Sequence, residues 1–354
     1  MRKVLVLALG RRGGSVQYGS AIIEQINLPK EIYVSSFCTE KVPENSIKIR
    51  TYRNKGEFFI SFFFNFLPLF FRVLVGLFRG EYLGLYLPYT HYWNAPFVAT
   101  FRLFGLQTAC TVHDGIPHTG DGNIWEAIIN RFTIRQASHL IFLSRHVADF
   151  LQHKIGFSCH YSVIPHGILR AGVSRSDRIA QRPARLLFLG RVCHYKGVDL
   201  FLKGLEHLDD HLWERATIAG QIVPGLHFPP STEKVSWENR WLNQEEVKQQ
   251  LDQADILVLP YREATQSGVI TLAIDQCLPM VCSRVGGLPE QLGEDDCIWV
   301  EPDPHSISKG LKDLISSPVI YQNHVSRLRD LKSNSSWSEI GKKIESLFAT
   351  TPSP

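Results

Sequence analysis

The sequence predicts an α/β fold of two doubly wound domains, and three observations carry that prediction. Short apolar runs recur along the chain with room for a helix between them, the pattern of βα units on a parallel sheet. The alternation halts at residues 170–185, a polar stretch holding five arginines, and restarts at Leu186. At 354 residues the chain is longer than a single hydrophobic core ordinarily serves.

The elements follow in order. Met1-Arg2-Lys3 runs directly into Val4-Leu5-Val6-Leu7-Ala8-Leu9 with no small-residue cleavage site behind it. The run therefore reads as a first strand over 3–9 and not as a signal peptide. Further strands are expected at 31–37, 82–87, 107–112 and 139–143, with helices between them. Their apolar residues are nearly continuous, as in parallel strands buried on both faces. In the second half the strands fall at 185–190, 215–219, 256–259, 279–282 and 297–300. Asn243 opens a helix running to Asp252, and Glu246 three residues on completes a capping box. A last helix is expected around 338–348, after Trp337. The organisation so drawn is a first domain at 1–168, a linker at 169–184 and a second domain at 185–335. Residues 336–354 supply a terminal helix packing back toward the first domain.

Composition narrows the function. The 44% hydrophobic and 20% charged fractions describe a folded globular protein. A net charge of +4 is far from the dense basic stripe of a nucleic-acid binder, so no nucleic-acid partner is expected. The seven cysteines are scattered, with no CxxC pair and no metal-ligand spacing. A reducing cytoplasmic compartment is the simplest expectation.

Two segments carry most of the chemistry. They are Gly190-Arg191-Val192-Cys193-His194-Tyr195-Lys196-Gly197 and Tyr261-Arg262-Glu263-Ala264-Thr265-Gln266-Ser267-Gly268-Val269-Ile270. Each follows a predicted strand, at the end where open α/β sheets place their ligands. Arg191 brings a planar fork and Lys196 a point charge. Glu263 adds a carboxylate. Gln266, Ser267, Gly268 and Val269 open a helix whose first N–H groups favour phosphate, and Gly268 lets a ligand approach the backbone. The set suits a nucleotide diphosphate carrying a sugar. The plainer alternatives are two solvated surface cations and a helix start with no ligand.

Taken together, these segments resemble the large retaining glycosyltransferase family 4, of GT-B fold. The resemblance is strongest from 185 to 300. It rests on Phe188-Leu189-Gly190-Arg191 through Lys196-Gly197-Val198-Asp199, on Ala254 to Pro260, and on Leu278-Pro279-Met280-Val281-Cys282-Ser283-Arg284-Val285-Gly286-Gly287-Leu288-Pro289-Glu290. Gly13-Gly14, His113-Asp114 and Val163-Ile164-Pro165-His166-Gly167 also fit. The resemblance implies two Rossmann-like domains facing across a cleft, a UDP- or GDP-sugar as donor, no separate cofactor and no metal. It makes Arg191 and Lys196 a diphosphate clamp beside Gly190. It places Glu263 near the donor sugar and His113 at the reacting carbon, and it brings Gly14 toward the donor phosphates or the acceptor. His118, Thr119 and Asp121 are expected to shape the acceptor side, and His91, Trp93 and Asn94 to lie near it. The family's second glutamate is missing: counting forward eight from Glu263 lands on Thr271, and counting back from Pro279 lands on Leu272.

One segment breaks the soluble pattern. The stretch 58–78 opens on Phe58, closes on Phe78 and holds nine of the chain's 21 phenylalanines. A spanning helix needs about 20 apolar residues with few charges, whereas Pro68 and Arg72 fall inside this one. With Arg53 and Lys55 before it and Arg79 after, it suits an interfacial segment on the inner face of a membrane. A buried helix pair is the other reading, and periodicity does not separate the two. The function so expected is transfer of a sugar to a lipid-linked or polysaccharide acceptor in cell-surface polysaccharide synthesis. Nucleotide-sugar epimerase or phosphorylase chemistry, or a non-catalytic protein keeping the fold, are the competing readings. The retained cations and Glu263 speak against the last, and the lack of paired cleft carboxylates against the first.

Overall fold

The computed structural model describes residues 1–113, 124–170, 172, 178–179 and 182–349. The chain divides into two units. Among the described residues, the first takes those up to 113 together with 124–167 and 336–349, and the second takes those of Ile168–Ser335.

The first unit is a seven-stranded parallel sheet. Its strands are β1 (Lys3–Ala8), β2 (Lys30–Ser35), β3 (Ile47–Ile49), β4 (Tyr82–Leu87), β5 (Gln107–Val112), β6 (His139–Phe142) and β7 (His160–Val163), in the order β3-β2-β1-β4-β5-β6-β7. Its helices are α1 (Gly14–Gln25), α2 (Lys55–Ser61), α3 (Leu67–Phe78), α4 (Asn94–Leu103), α5 (Ile124–Gln136) and α6 (Arg145–Lys154). Strand β1 shows why the apolar runs are continuous. Val4 and Val6 join Val16, Tyr18 and Ile22 of α1 on one face. Leu5 and Leu7 join Phe66, Leu69, Phe97 and Phe101 on the other. Alternate residues of one strand thus enter two different cores. The chain order reverses between β1 and β4, where such sheets leave a crevice.

The second unit is a six-stranded parallel sheet of β8 (Ala184–Leu189), β9 (Trp213–Ala219), β10 (Val235–Glu238), β11 (Ile256–Leu259), β12 (Met280–Ser283) and β13 (Ile298–Val300), in the order β10-β9-β8-β11-β12-β13. Its helices are α7 (Val198–Glu206), α8 (Gln244–Gln253), α9 (Gly268–Asp275), α10 (Leu288–Gln291), α11 (Pro304–Ser316) and α12 (Pro318–Asn334). Asn243 caps α8 with Glu246 closing the capping box from the other side. The last helix, α13 (Trp337–Ala349), returns to the first unit, where Ile344 and Phe348 enter the α1 side of its core.

Three strands escaped the sequence, and all are edges. β3, β7 and the short β10 lie at the ends of their sheets and carry partly exposed side chains. A strand buried on neither face has no reason to be an unbroken apolar run.

Within the polar 170–185 stretch, Arg178 is anchored in the second unit. That side chain is 4% exposed. Its guanidinium donates to the carbonyls of Leu251 (2.7 Å), Ala254 (2.6 Å) and Gln276 (2.8 Å). These are carbonyls that the ends of α8 and α9 leave without helical partners.

Pro68, read from the sequence as an argument against a spanning helix, does not interrupt the helix itself. Between α2 and α3 the residues Phe62–Phe66 form one widened π turn, with the Leu67 N–H reaching the Phe62 carbonyl. Proline cannot donate to the carbonyl four residues back, and the ladder slips one residue to accommodate it. The result is one helix, Gly56–Phe78, long and apolar enough by length and composition to cross a membrane. Its inner face is committed to protein: Phe66, Leu69, Val73 and Leu77 are buried in the core beside Trp93 and Phe97. Its outer face is bare apolar surface, with Phe59, Ile60, Phe63, Phe64, Phe71 and Phe78 each more than half exposed. The buried-helix reading accounts for one face of the segment only, since the other face is exposed.

Candidate functional site

In the second unit, β8 and β11 are neighbours, pairing Leu186 with Ile256. Their C-terminal ends deliver the two motif segments side by side at the point where the strand order reverses. After β8 the chain makes a single 3-10 turn, His194–Lys196, and enters α7 through Gly197. Gly197 has φ 65°, and a Cβ there would stand 1.9 Å from the Pro260 carbonyl oxygen. Only glycine lets the first segment lie this close to the second.

Lys196 is the centre of the arrangement. Its Nζ donates to the Tyr261 hydroxyl at 2.8 Å, lies 4.2 Å from the centre of that ring, and the hydroxyl continues to Ser267 Oγ at 3.4 Å. A Cβ on Gly190 would stand 3.7 Å from both Lys196 Nζ and Val269 Cγ2, so these three residues line one small space. Burial draws the lysine pKa down, but the Tyr261 and Tyr195 phenols more than offset it, and the net shift is upward. The ammonium is therefore a fixed positive charge at any physiological pH. Arg191 is exposed beside it, and its side chain hydrogen-bonds Tyr195.

Sequence reasoning missed the residues that hold this pair of segments together. Arg262 makes a two-pronged contact with Asp199, at 2.7 and 2.6 Å, and donates to the His194 carbonyl at 3.0 Å. The hydrogen bond from Arg262 holds the Asp199 carboxyl below its usual range. The Arg262 N–H reaches the Tyr195 carbonyl at 2.7 Å. Both Arg262 and Asp199 stood inside the quoted motifs, and the signal available was a cation and an anion flanking the two strand ends. Glu263, next in the chain, is exposed.

The helix start needs one correction. The Ser267 N–H does not face outward for a ligand, because it donates to Gln291 Oε1 at 2.7 Å. Ser267 makes no side-chain cap to α9, which leaves Gly268 and Val269 as the residues of its opening turn. The loop from Val285 on, matched by sequence as a family motif, supports Glu263's neighbour. Gly286, at φ 53°, passes so near Ala264 that a Cβ would meet its carbonyl oxygen at 1.8 Å, and the Gly287 N–H donates to that oxygen. Where the family's second glutamate would stand, Thr271 is buried, donating to the Gly268 carbonyl and accepting the Leu169 N–H. Leu272 packs on the core. Neither supplies a carboxylate.

In the first unit His113 is 8% exposed, with Nε2 on the Pro88 carbonyl at 3.0 Å. A carbonyl only accepts, so the proton is on Nε2. The ring meets Tyr18 edge-on at 4.8 Å. His166 stands near both, its pKa pushed down to about 4 by burial. Gly14 is exposed at the start of α1 with open space where a Cβ would go, and the Gly13 N–H is held by Glu40. Of the three residues expected near the acceptor, Trp93 and Asn94 are core, at 2% and 0% exposure, and His91 lines a cavity. Asp114, His118, Thr119 and Asp121 lie outside the described residues. Among the described residues no group of three His, Cys, Asp or Glu side chains is placed to hold a metal.

Residues 31–169 match the family described as Glycosyltransferase Family 4, and residues 183–317 match Glycosyl transferases group 1. The phosphatidylinositol N-acetylglucosaminyltransferase gpi3 subunit of Schizosaccharomyces pombe is 20% identical over 256 residues, 70% of this chain and 56% of that one. The chain spans about half the length of the curated relatives it matches. Among solved structures, sucrose-phosphate synthase from Thermosynechococcus elongatus superposes with a TM-score of 0.69 at 14% identity, covering 98% of each chain. The Anabaena protein HepE in complex with UDP does so with a TM-score of 0.71 at 13% identity, covering 99% of this chain and 100% of that one.

Proposed function

We propose that this chain, a glycosyltransferase of the GT-B type, moves a sugar from a nucleotide diphosphate sugar to a lipid-linked or glycan acceptor with retention at the anomeric carbon. The pathway it serves in this reading is cell-surface polysaccharide synthesis. The observation that carries the donor half is Lys196, a fixed ammonium set between Gly190 and the opening turn of α9. A departing nucleoside diphosphate gathers negative charge as the sugar leaves. A cation already in place, with a helix N-terminus beside it, stabilises that charge more in the transition state than in the ground state. Arg191 adds a second, exposed cation. Glu263 is assigned to the donor sugar and His113 to its orientation. No side-chain nucleophile is assigned.

The bare outer face of Gly56–Phe78 supports a second part of the reading, a place on the cytoplasmic surface of a membrane. A helix committed to the core on one side lies in the plane of a bilayer and does not cross it. Arg72 and Arg79 flank this face, each more than half exposed while ion-paired with Glu31 and Glu81, and in this reading they meet anionic lipid.

The donor reading is tested by thermal shift against UDP, GDP, ADP and CDP, with Lys196→Ala as the control. A bound nucleotide at 100 times its Kd adds about 2.7 kcal/mol of stability. One nucleotide should raise the wild-type melting temperature and leave the variant unmoved. A wild-type protein indifferent to all four overturns the reading.

A further inference from the structure

Two residues past the end of β11, Tyr261 is buried at 1% exposure although it carries a hydroxyl. A buried phenol needs partners for its oxygen and for its one hydrogen. The donor site supplies both. Lys196 Nζ donates to the oxygen at 2.8 Å. An ammonium has no lone pair, so the phenol hydrogen cannot be returned along that contact. Its acceptor is Ser267 Oγ at 3.4 Å. The direction of the relay is thereby fixed: Lys196 donates to Tyr261, and Tyr261 donates to Ser267.

Ser267 is held from two sides and still keeps one hydrogen. Its N–H donates to Gln291 Oε1 at 2.7 Å, and its carbonyl accepts Gln291 Nε2 at 3.3 Å. Gln291, the last residue of α10, thus pairs with the Ser267 backbone as a neighbouring strand would. The Ser267 hydroxyl makes no cap bond to α9. With Tyr261 donating to Oγ, the hydroxyl hydrogen is uncommitted, on a residue only 4% exposed. Two residues further on, Val269 borders the small space that it shares with Gly190 and Lys196 Nζ.

We propose that Tyr261 is a positioning residue for sugar transfer, aiming the Lys196 ammonium and turning the Ser267 hydroxyl into a donor, both toward the terminal phosphate of the departing nucleoside diphosphate. The bond that breaks joins the anomeric carbon to an oxygen of that phosphate, and its electron pair goes to the oxygen. No proton needs to move, because the diphosphate leaves as an anion. The new charge meets a fixed cation and a neutral hydrogen-bond donor, both already oriented. A lysine without that phenol would have to be ordered by the ligand itself, at the ligand's expense in affinity. The inference rests on the donor reading of Lys196 and adds to it the residue that makes the lysine a fixed charge.

Titration calorimetry on the full chain tests it, with whichever of UDP, GDP, ADP and CDP stabilises the wild type and with the matching monophosphate, which lacks the terminal phosphate. Tyr261→Phe keeps the ring in place and removes the oxygen. It should weaken the diphosphate about ten-fold, the worth of one hydrogen bond to a charged group, and the monophosphate by no more than about two-fold. Ser267→Ala should also weaken the diphosphate selectively, and the double variant should lose less than the two single losses combined, because the relay acts as a unit. Melting temperatures without ligand show that each variant is folded, and Ser267→Ala reports on the same relay should the phenol prove necessary for folding. Tyr261→Phe protein that binds the diphosphate like wild type, equal losses for diphosphate and monophosphate, or strict additivity of the two substitutions overturns the proposal. A wild type that binds none of the four nucleotides overturns the donor reading itself, whereas a wild type that binds one of them beside equally competent variants overturns the relay alone.

Discussion

Replacing Arg262 by alanine should cripple the donor site without touching any group assigned to the ligand. Arg262 grips Asp199 through two hydrogen bonds of 2.7 and 2.6 Å and holds the His194 carbonyl at 3.0 Å. It thereby ties the Glu263 loop to the turn that carries Lys196. The Arg262 and Asp199 side chains are 26% and 39% exposed, so solvent screens the pair and the full strength of a buried contact does not apply. Two-pronged geometry and the added carbonyl bond place the coupling above an ordinary surface pair, at about 1–2 kcal/mol. That is about a 5- to 30-fold change in an equilibrium constant. The assay is a double-mutant cycle on nucleotide affinity, with Arg262→Ala, Asp199→Ala and both together. Each single variant should lose about that much affinity, and the double variant should lose little more than either. Strict additivity, or unchanged affinity in Arg262→Ala while Lys196→Ala abolishes binding, would refute the idea that this pair positions the clamp.

Other outcomes follow from the same structure. Lys196→Ala should cut turnover by about 10²-fold or more, the cost of losing one pre-organised charge at a departing anion; unchanged activity in folded protein removes it from the site. His113→Ala should lower kcat by about 10²-fold while nucleotide affinity stays within a few-fold, because the clamp lies in the second unit. NMR of the product should show a retained linkage, and an inverted one refutes the stereochemical assignment. Phe63→Ser with Phe64→Ser should abolish flotation with anionic vesicles, and wild-type binding should weaken with salt; wild-type protein that never floats ends the membrane reading. His166 is kept neutral by burial with a pKa of about 4, against about 6.5 when unfolded. The unfolded chain binds the extra proton between those values, so the stability is full above pH 6.5 and is lost as pH falls, by at most about 2 kcal/mol at pH 5. His166→Gln should flatten that acid limb in urea titrations, and parallel limbs would show that His166 is not its source.

Much of the fold was legible because parallel sheets bury both faces. β1, β4, β8 and β11 are nearly continuous apolar runs for that reason, and the sequence located each of them. The edges β3, β7 and β10 were illegible, since a half-exposed strand of three or four residues leaves no period to read. Part of the donor site was legible too. Gly190, Lys196 and Val269 were picked from motifs after strands, and they meet. Ser267 was picked for its N–H, which Gln291 occupies; nothing local to Ser267 announces a partner 24 residues away.

The sequence by itself determined the two-sheet α/β architecture, the cations at the strand ends and the absence of a second glutamate after Glu263. These are local facts: a run of apolar residues, a residue type at a spacing. Tertiary structure alone decided which neighbours each chosen residue would have. It closed Arg262 onto Asp199 across 63 residues of chain. It buried Arg178, one of five arginines in a polar stretch, against three helix-end carbonyls. It split one phenylalanine-rich helix into a core face and a bare one, a division that depends on which side meets Trp93 and Phe97. Periodicity marks where apolar side chains stand on a helix, but only packing decides which of them lose their water.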